Sequence, residues 1–269
     1  MIEQRFGCTV CGECCYGRLP LTIGDALANA GRFPLAMVWT PVRQASRSFE
    51  LTARLGTTVK LRNRKIVAVL IAPTAYMPPS FSCPALLPDK RCSIHAEKPL
   101  RCRAMPFFPY REERDQVDML VPRKSWACDV SDAAPVVYSG KKIVESADFD
   151  RERSELLAQA PALRDYAESM LSQTPMLMDH LIKAAMNSAS GHVIVNFSSF
   201  IRHNREYDMK AFAKTQHPVL VEFENRTAAT PALAEFHKYY CEWAAELEWY
   251  AKRPAASPLS DDKPRYILS

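Results

Sequence analysis

Along residues 48–55, Phe49, Leu51, Ala53 and Leu55 alternate with more polar neighbours. β-Branched runs then fill 57–61 and 65–71 on either side of Arg62, Asn63 and Arg64. A period of two with β-branched runs between polar turns predicts strands, so a small antiparallel sheet is expected here. Residues 81–130 hold no sustained period and carry prolines at 84, 88, 99, 106, 109 and 122, which predicts mostly loop. From about residue 148 the period lengthens to that of a helix. Asp148 or Asp150 can cap a segment reaching about Ala160, and Pro161 can open the next, to Leu171. Thr174-Pro175 starts a third helix, with Leu177, Leu181, Ile182 and Ala185 on one face. Thr230-Pro231 repeats the signal before a stripe of Leu233, Phe236, Tyr240, Trp243, Leu247 and Tyr250. Residues 192–197 and 219–223 read as short strands between these helices. The expectation is an α+β chain. An irregular cysteine-rich metal-binding module with a small antiparallel β element spans 1–130. A mainly helical region, 131–253, packs on it, and 254–269 is a flexible tail.

Composition narrows the classes. With 269 residues, 48% hydrophobic and 24% charged, the chain is globular, not disordered, collagen-like or coiled-coil. Eight glycines leave little scope for a nucleotide-binding α/β sheet, and no GxGxxG, P-loop, GxSxG or HExxH occurs. Nothing from Met1 to Phe6 reads as a targeting signal. The longest apolar run, 66–73, is far short of the ~20 residues of a membrane helix. A cytoplasmic protein with no membrane partner is expected. The net charge of +5 is uneven: 19 Lys and Arg face 11 Asp and Glu in residues 1–130, against 16 and 19 beyond. Eight of the nine cysteines share the positive part, so the excess can compensate thiolates; nucleic acid or anionic lipid is the other reading of such a balance.

In a reducing compartment, clustered cysteines point to metal or redox chemistry sooner than to disulfides. The first cluster is Cys8-x-x-Cys11-x-x-Cys14-Cys15, where two-residue gaps let sulfurs converge on one ion. The side chains of adjacent Cys14 and Cys15 are expected to diverge, so that they serve different centres or one is a spare or redox thiol. The second cluster is Cys83, Cys92 and Cys102, followed by Cys128, with Lys90, Arg91, Lys98, Arg101 and Arg103 close by. These cations suit an anionic centre, and Arg101 and Arg103 are the candidates to bind a cluster or an anionic partner. His95 is either a ligand or, preferentially, a group that orients a cysteine loop. Cys241 and the aromatic stripe read as core, and Asp148, Asp150, Glu152 and Glu155 as the acidic start of a helix.

These residues carry a resemblance. Phe6-Gly-Cys8-x-x-Cys11-x-x-Cys14-Cys15 comes first, followed by Cys92-Ser-Ile94-His95-x-x-Lys98-Pro99-x-x-Cys102-Arg103-x-x-Pro106-Phe107. The pattern is similar to that of the CxxCxxCC cysteine-cluster family, to which the YkgJ-type proteins belong. That family is described as zinc- or iron-chelating, and some members resemble flagellin lysine N-methylases. The resemblance spans about residues 6–130. It implies that Cys8, Cys11, Cys14, Cys15, Cys83, Cys92, Cys102 and Cys128 form a pool of metal ligands.

Three functions follow as expectations. The first is a metal-centre protein holding iron–sulfur, such as a 4Fe-4S cluster, in preference to zinc, for electron transfer, redox or scaffolding. It would have a redox partner. The second is a metal-cluster-dependent enzyme that modifies a protein substrate, like the lysine N-methylases, with S-adenosylmethionine. The third, and least favoured, is a zinc-binding nucleic-acid module suggested by the basic half.

Overall fold

In the computed structural model, residues 3–62, 64–187 and 191–252 are described; the tail expected from residue 254 lies outside them. The N-terminal part carries small antiparallel sheets and the C-terminal part is largely helical. In order, the first elements are β1 (Glu3–Arg5), β2 (Leu19–Pro20), α1 (Ile23–Ala28), β3 (Leu35–Arg43), α2 (Phe49–Leu55), β4 (Thr57–Lys60) and β5 (Ile66–Ala75). Next are α3 (Leu100–Arg103), β6 (Val136–Ser139) and β7 (Lys142–Ile143). The last are α4 (Ala147–Gln173), α5 (Pro175–Met186), β8 (Val193–Asn196), α6 (Ser198–His203), α7 (Met209–Thr227) and α8 (Ala234–Lys252).

Strand β5 organises the larger sheet. It pairs antiparallel with β3 from Val67 opposite Arg43 to Ala75 opposite Leu35. Its other edge takes β4 at one end and β2 at the other. Strand β8 closes the far side of β3, so the C-terminal part contributes to the same sheet. β5 reads as a continuous apolar run because both faces are covered. Val67, Val69 and Ile71 enter the main core with α4, α5, α7 and α8, while Leu70 packs toward Leu51, Leu55 and Leu156. The smaller sheet, β1-β6-β7, sits over Phe107, Leu120, Tyr138, Ile143 and Phe149.

Several local expectations change. Residues 48–55 form a helix: Phe49, Leu51, Thr52 and Leu55 are buried, a spacing that a helix satisfies and the apparent alternation hid. β3 was not legible as a strand. The two segments divided at Pro161 are one helix, α4, whose exposed proline is carried by burial of Leu156, Ala160, Leu163 and Tyr166 around it. Residues 219–223 lie inside α7, with Val219, Leu220 and Phe223 on its buried side. The helix begun by Thr174-Pro175 is α5, and its Leu177, Leu181 and Ala185 are buried. After Pro231–Leu233, α8 buries Phe236, Tyr240, Trp243 and Leu247. Among the described residues no helix is long and apolar enough to cross a membrane.

The helical part grips the loops that hold the cysteines. The Arg18 guanidinium lies 4.7 Å over the Tyr76 ring, and Tyr240 Oη donates to the Tyr76 carbonyl at 2.6 Å. Arg226 lies 4.5 Å over Phe81 and 4.7 Å over Phe223. Cation–π contacts of this kind hold a loop without a regular element beneath it.

Candidate thiol site

The cysteine loops leave the end of the sheet where Leu19 and Leu35 meet Ala75. Gly7 and Asp129 exchange backbone hydrogen bonds of 2.7 and 2.9 Å, which sets Cys8 beside Cys128. The Thr9 hydroxyl donates to the Ala127 carbonyl at 2.8 Å and keeps the first CxxC loop against that strand of chain. A second junction is built by the Cys83 amide, which donates to the Cys15 carbonyl at 2.6 Å. Leu86 bridges to Cys92, and the Ala85 amide donates to Cys83 Sγ at 3.4 Å. Cys102 sits on α3, whose first amide, that of Leu100, donates to Asp25 Oδ2 at 3.1 Å.

Two electrostatic neighbourhoods result: Cys8 and Cys11 act on Cys128, while Cys15, Cys83, Cys92 and Cys102 form the second. Cys14 acts electrostatically on members of both. The turn is closed by a 2.9 Å bond from the Cys15 amide to the Gly12 carbonyl. Gly12 and Gly17, at φ +77° and +74°, supply the left-handed backbone on either side of Cys14 and Cys15. Val10, a β-branched residue at φ +57°, holds the same region without that freedom.

All nine cysteines are free thiols. Cys14 and Cys15 share one tight turn, and each thiol acts on the ionisation of the other. The neighbouring Cys15 thiol, opposed by partial burial and helped by the charge of Lys98, brings the exposed Cys14 thiol down to about 7. Burial opposes ionisation of Cys11, but the Glu13 and Ala127 amides outweigh it and its pKa is also lowered. Behind them, Cys15 is held well above the usual range by the neighbouring Cys14 sulfur and by burial. Burial pushes Cys102 up to about 12 and raises Cys83. Cys128 is raised by burial and by its cysteine neighbours. Two acidic thiols thus stand in front of several protonated ones.

The metal-centre reading is corrected. A structural site needs several donors at about 2.0–2.3 Å from one point. Among the described residues no group of three or more His, Cys, Asp or Glu side chains could hold a metal ion. The backbone brings the cysteine loops together, but their side chains do not converge on a centre. Iron–sulfur, the 4Fe-4S form included, and zinc are therefore withdrawn as cofactors, with the electron-transfer, redox and scaffolding roles assigned to such a centre. The cluster-dependent methylase reading falls with them, as does S-adenosylmethionine, and so does the zinc-based nucleic-acid module.

The candidate arginines serve the loop itself. Arg101 is buried, 3.4 Å from Glu152, donates to the Phe107 carbonyl and lies 5.1 Å over the Phe108 ring. Arg103 donates to the carbonyls of Lys98 and Ala96. His95 is exposed on the turn His95–Glu97. Glu152, read from the sequence as part of an acidic helix start, is the buried partner of Arg101, and nothing in its local pattern set it apart from Asp148 or Glu155. Half-buried Cys241 on α8 has Sγ 3.4 Å from His237 Nε2, a pair whose four-residue spacing was visible in the chain.

The basic excess is not centred on the thiols. Arg43, Arg47, Arg54, Lys60, Arg62, Arg64 and Lys65 are exposed, and in that stretch only Glu50 opposes them. They cluster where Arg43 pairs with Val67 and Lys60 with Ile66, the opposite end of β5 from the cysteine loops. Nine residues of β3, at ~3.3 Å each, put roughly 26 Å between the two ends. Compensation of thiolates is thus left to a few local cations such as Lys98 and Arg32.

No curated protein and no solved structure matches the chain. Residues 7–128, which hold eight of the nine cysteines, match the family described as "CxxCxxCC: Putative zinc- or iron-chelating domain".

Proposed function

We propose that the cysteine module acts through its own thiols, as a thiol–disulfide exchange site with Cys14 as the nucleophile. The observation that carries this reading is the exposed Cys14 thiol, set directly beside Cys15 on the turn that the Cys15 amide closes onto the Gly12 carbonyl, with its pKa lowered to about 7. A thiol near neutrality is well matched to attack, since it is largely thiolate yet still nucleophilic. The chelation named in the family description is not carried over, because the side chains do not converge on one ion.

The chemistry balances without a metal. Cys14 thiolate attacks one sulfur of a disulfide on a partner molecule; that S–S bond breaks and the other partner sulfur leaves as a thiolate, which takes a proton from water. Cys15 then loses its proton and attacks the Cys14 sulfur. The second partner thiolate is released, and a Cys14–Cys15 disulfide remains. The partner gains two electrons and this chain loses two. A dithiol reductant returns the site to its starting state by the reverse exchange. Adjacent Cα atoms lie ~3.8 Å apart, shorter than the usual ~4.4–6.8 Å of disulfides, so the product bond is strained and readily reduced.

The test is mass spectrometry of the full chain after incubation with oxidised glutathione. Wild type is expected to gain a Cys14–Cys15 disulfide, and Cys15→Ser to accumulate a glutathione adduct on Cys14. Equal labelling of Cys14 and the remaining thiols in Cys15→Ser would overturn the assignment.

A further inference from the structure

We infer that the pole opposite the thiols, built by the β4–β5 hairpin and α5, is a docking surface for an anionic lipid bilayer. This revises the expectation that the chain has no membrane partner. It does not depend on the thiol reading, because it rests on the other end of the sheet.

Three observations meet there. The first is charge: seven cations between residues 43 and 65 are exposed against the single Glu50, and Arg164 and Lys183 on α4 and α5 stand against Asp165 and Asp179, so the face keeps a clear positive excess. The second is that the backbone gathers them. Val59 and Leu61 point into the core, leaving Lys60, Arg62 and Arg64 outside. Arg62 reaches across to Asp179 of α5 at 2.9 Å, and Arg43 Nε donates to the Ala185 carbonyl at 2.8 Å, so hairpin and helix form one face.

The third is the apolar content of that face. Met186 is 73% exposed, next to the carbonyl that Arg43 holds. Met176, 61% exposed, lies one helical turn before Asp179, and Ile66, 42% exposed, is paired with Lys60. Unbranched methionine and an isoleucine among arginines suit the boundary of a bilayer, where the apolar groups enter and the guanidinium groups meet phosphates. A nucleic-acid surface would use exposed rings for stacking. The one aromatic residue between 43 and 66, Phe49, is buried. The attraction acts over about a Debye length, ~10 Å at 0.1 M salt, so a concentrated patch is required and the distant thiol loops contribute little.

The test is co-sedimentation of the full chain with vesicles of phosphatidylglycerol and phosphatidylcholine, compared with vesicles of phosphatidylcholine alone. The expected result is binding to the anionic vesicles only, lost by at least tenfold at 0.5 M sodium chloride. Arg47→Glu with Lys60→Glu and Arg64→Glu is expected to abolish it, while Lys90→Glu with Arg91→Glu at the thiol end leaves it unchanged. Met186→Ser with Ile66→Ser is expected to weaken it severalfold with the charge intact. The salt series on wild type keeps the test decisive if a charge-reversed variant does not fold. Equal binding to neutral vesicles, no binding to either, or binding to duplex DNA in place of vesicles would overturn the proposal.

Discussion

The guanidinium of Arg101 lies 3.4 Å from the carboxylate of Glu152, both side chains buried, and this pair fastens the short helix bearing Cys102 to α4. Burial, partly offset by Arg101 and reinforced by Asp25, raises the Glu152 carboxyl to about 7. An acid whose folded pKa is raised stabilises the fold below its unfolded value, near 4.5 here, and that contribution is lost as pH rises through about 7. Urea unfolding of wild type between pH 4.5 and 8 is therefore expected to show a component that weakens upward across this window. Glu152→Gln removes that component. At pH 8 it also leaves the Arg101 charge buried without its partner, a change expected to cost about 3–5 kcal/mol. An unchanged pH profile in Glu152→Gln would show that the pair does not titrate in this range.

A second prediction concerns the join between α8 and the loop leading to Cys83. Tyr240 Oη is the donor to the buried Tyr76 carbonyl. Tyr240→Phe keeps the ring and leaves that carbonyl unsatisfied, so a loss of about 1–3 kcal/mol is expected in the same unfolding measurement. A loss below about 0.5 kcal/mol would mean that another donor replaces the phenol.

The left-handed positions of the first loop predict opposite signs for two small changes. Val10 is 54% exposed at φ +57°, so Val10→Gly relieves strain and is expected to stabilise by about 1 kcal/mol. Gly12→Ala introduces strain at φ +77° and sets a methyl 3.3 Å from Lys90 Cβ, with an expected loss of about 1–2 kcal/mol. Thermal melting of the two variants checks the pair together, and a stabilising Gly12→Ala would contradict the loop conformation.

What could be read beforehand follows from which forces are local. The helices started by Thr174-Pro175 and Thr230-Pro231 were legible, since a cap, a proline and a long apolar stripe all lie within one segment. Residues 48–55 misled because eight residues are too few to separate a period of two from 3.6. Pro161 misled because the burial that carries α4 through it comes from other elements. β3 was missed because its strand state depends on β5 and β8, which are remote in sequence. At the site, the CxxCxxCC spacing identified the cysteines that share one end of the molecule. Spacing could not show whether eight sulfurs converge on an ion, because loops ~70–120 residues apart decide that geometry. The charge asymmetry was legible as a sum but not as a place, since the cations of residues 43–65 lie at the far end of the strands that the cysteine loops leave.

The central claim is that Cys14 is the reactive thiol of this site. The most direct measurement is the rate of iodoacetamide alkylation at each cysteine of the native full chain, read by peptide mass spectrometry from pH 5 to 9, with metal content determined on the same sample. The account predicts that Cys14 reacts fastest, with a midpoint near pH 7, that Cys15 and Cys102 stay at least tenfold slower throughout, and that a chelator changes nothing. Thiols that are all protected together and released together by a chelator, with stoichiometric metal in the sample, would contradict it.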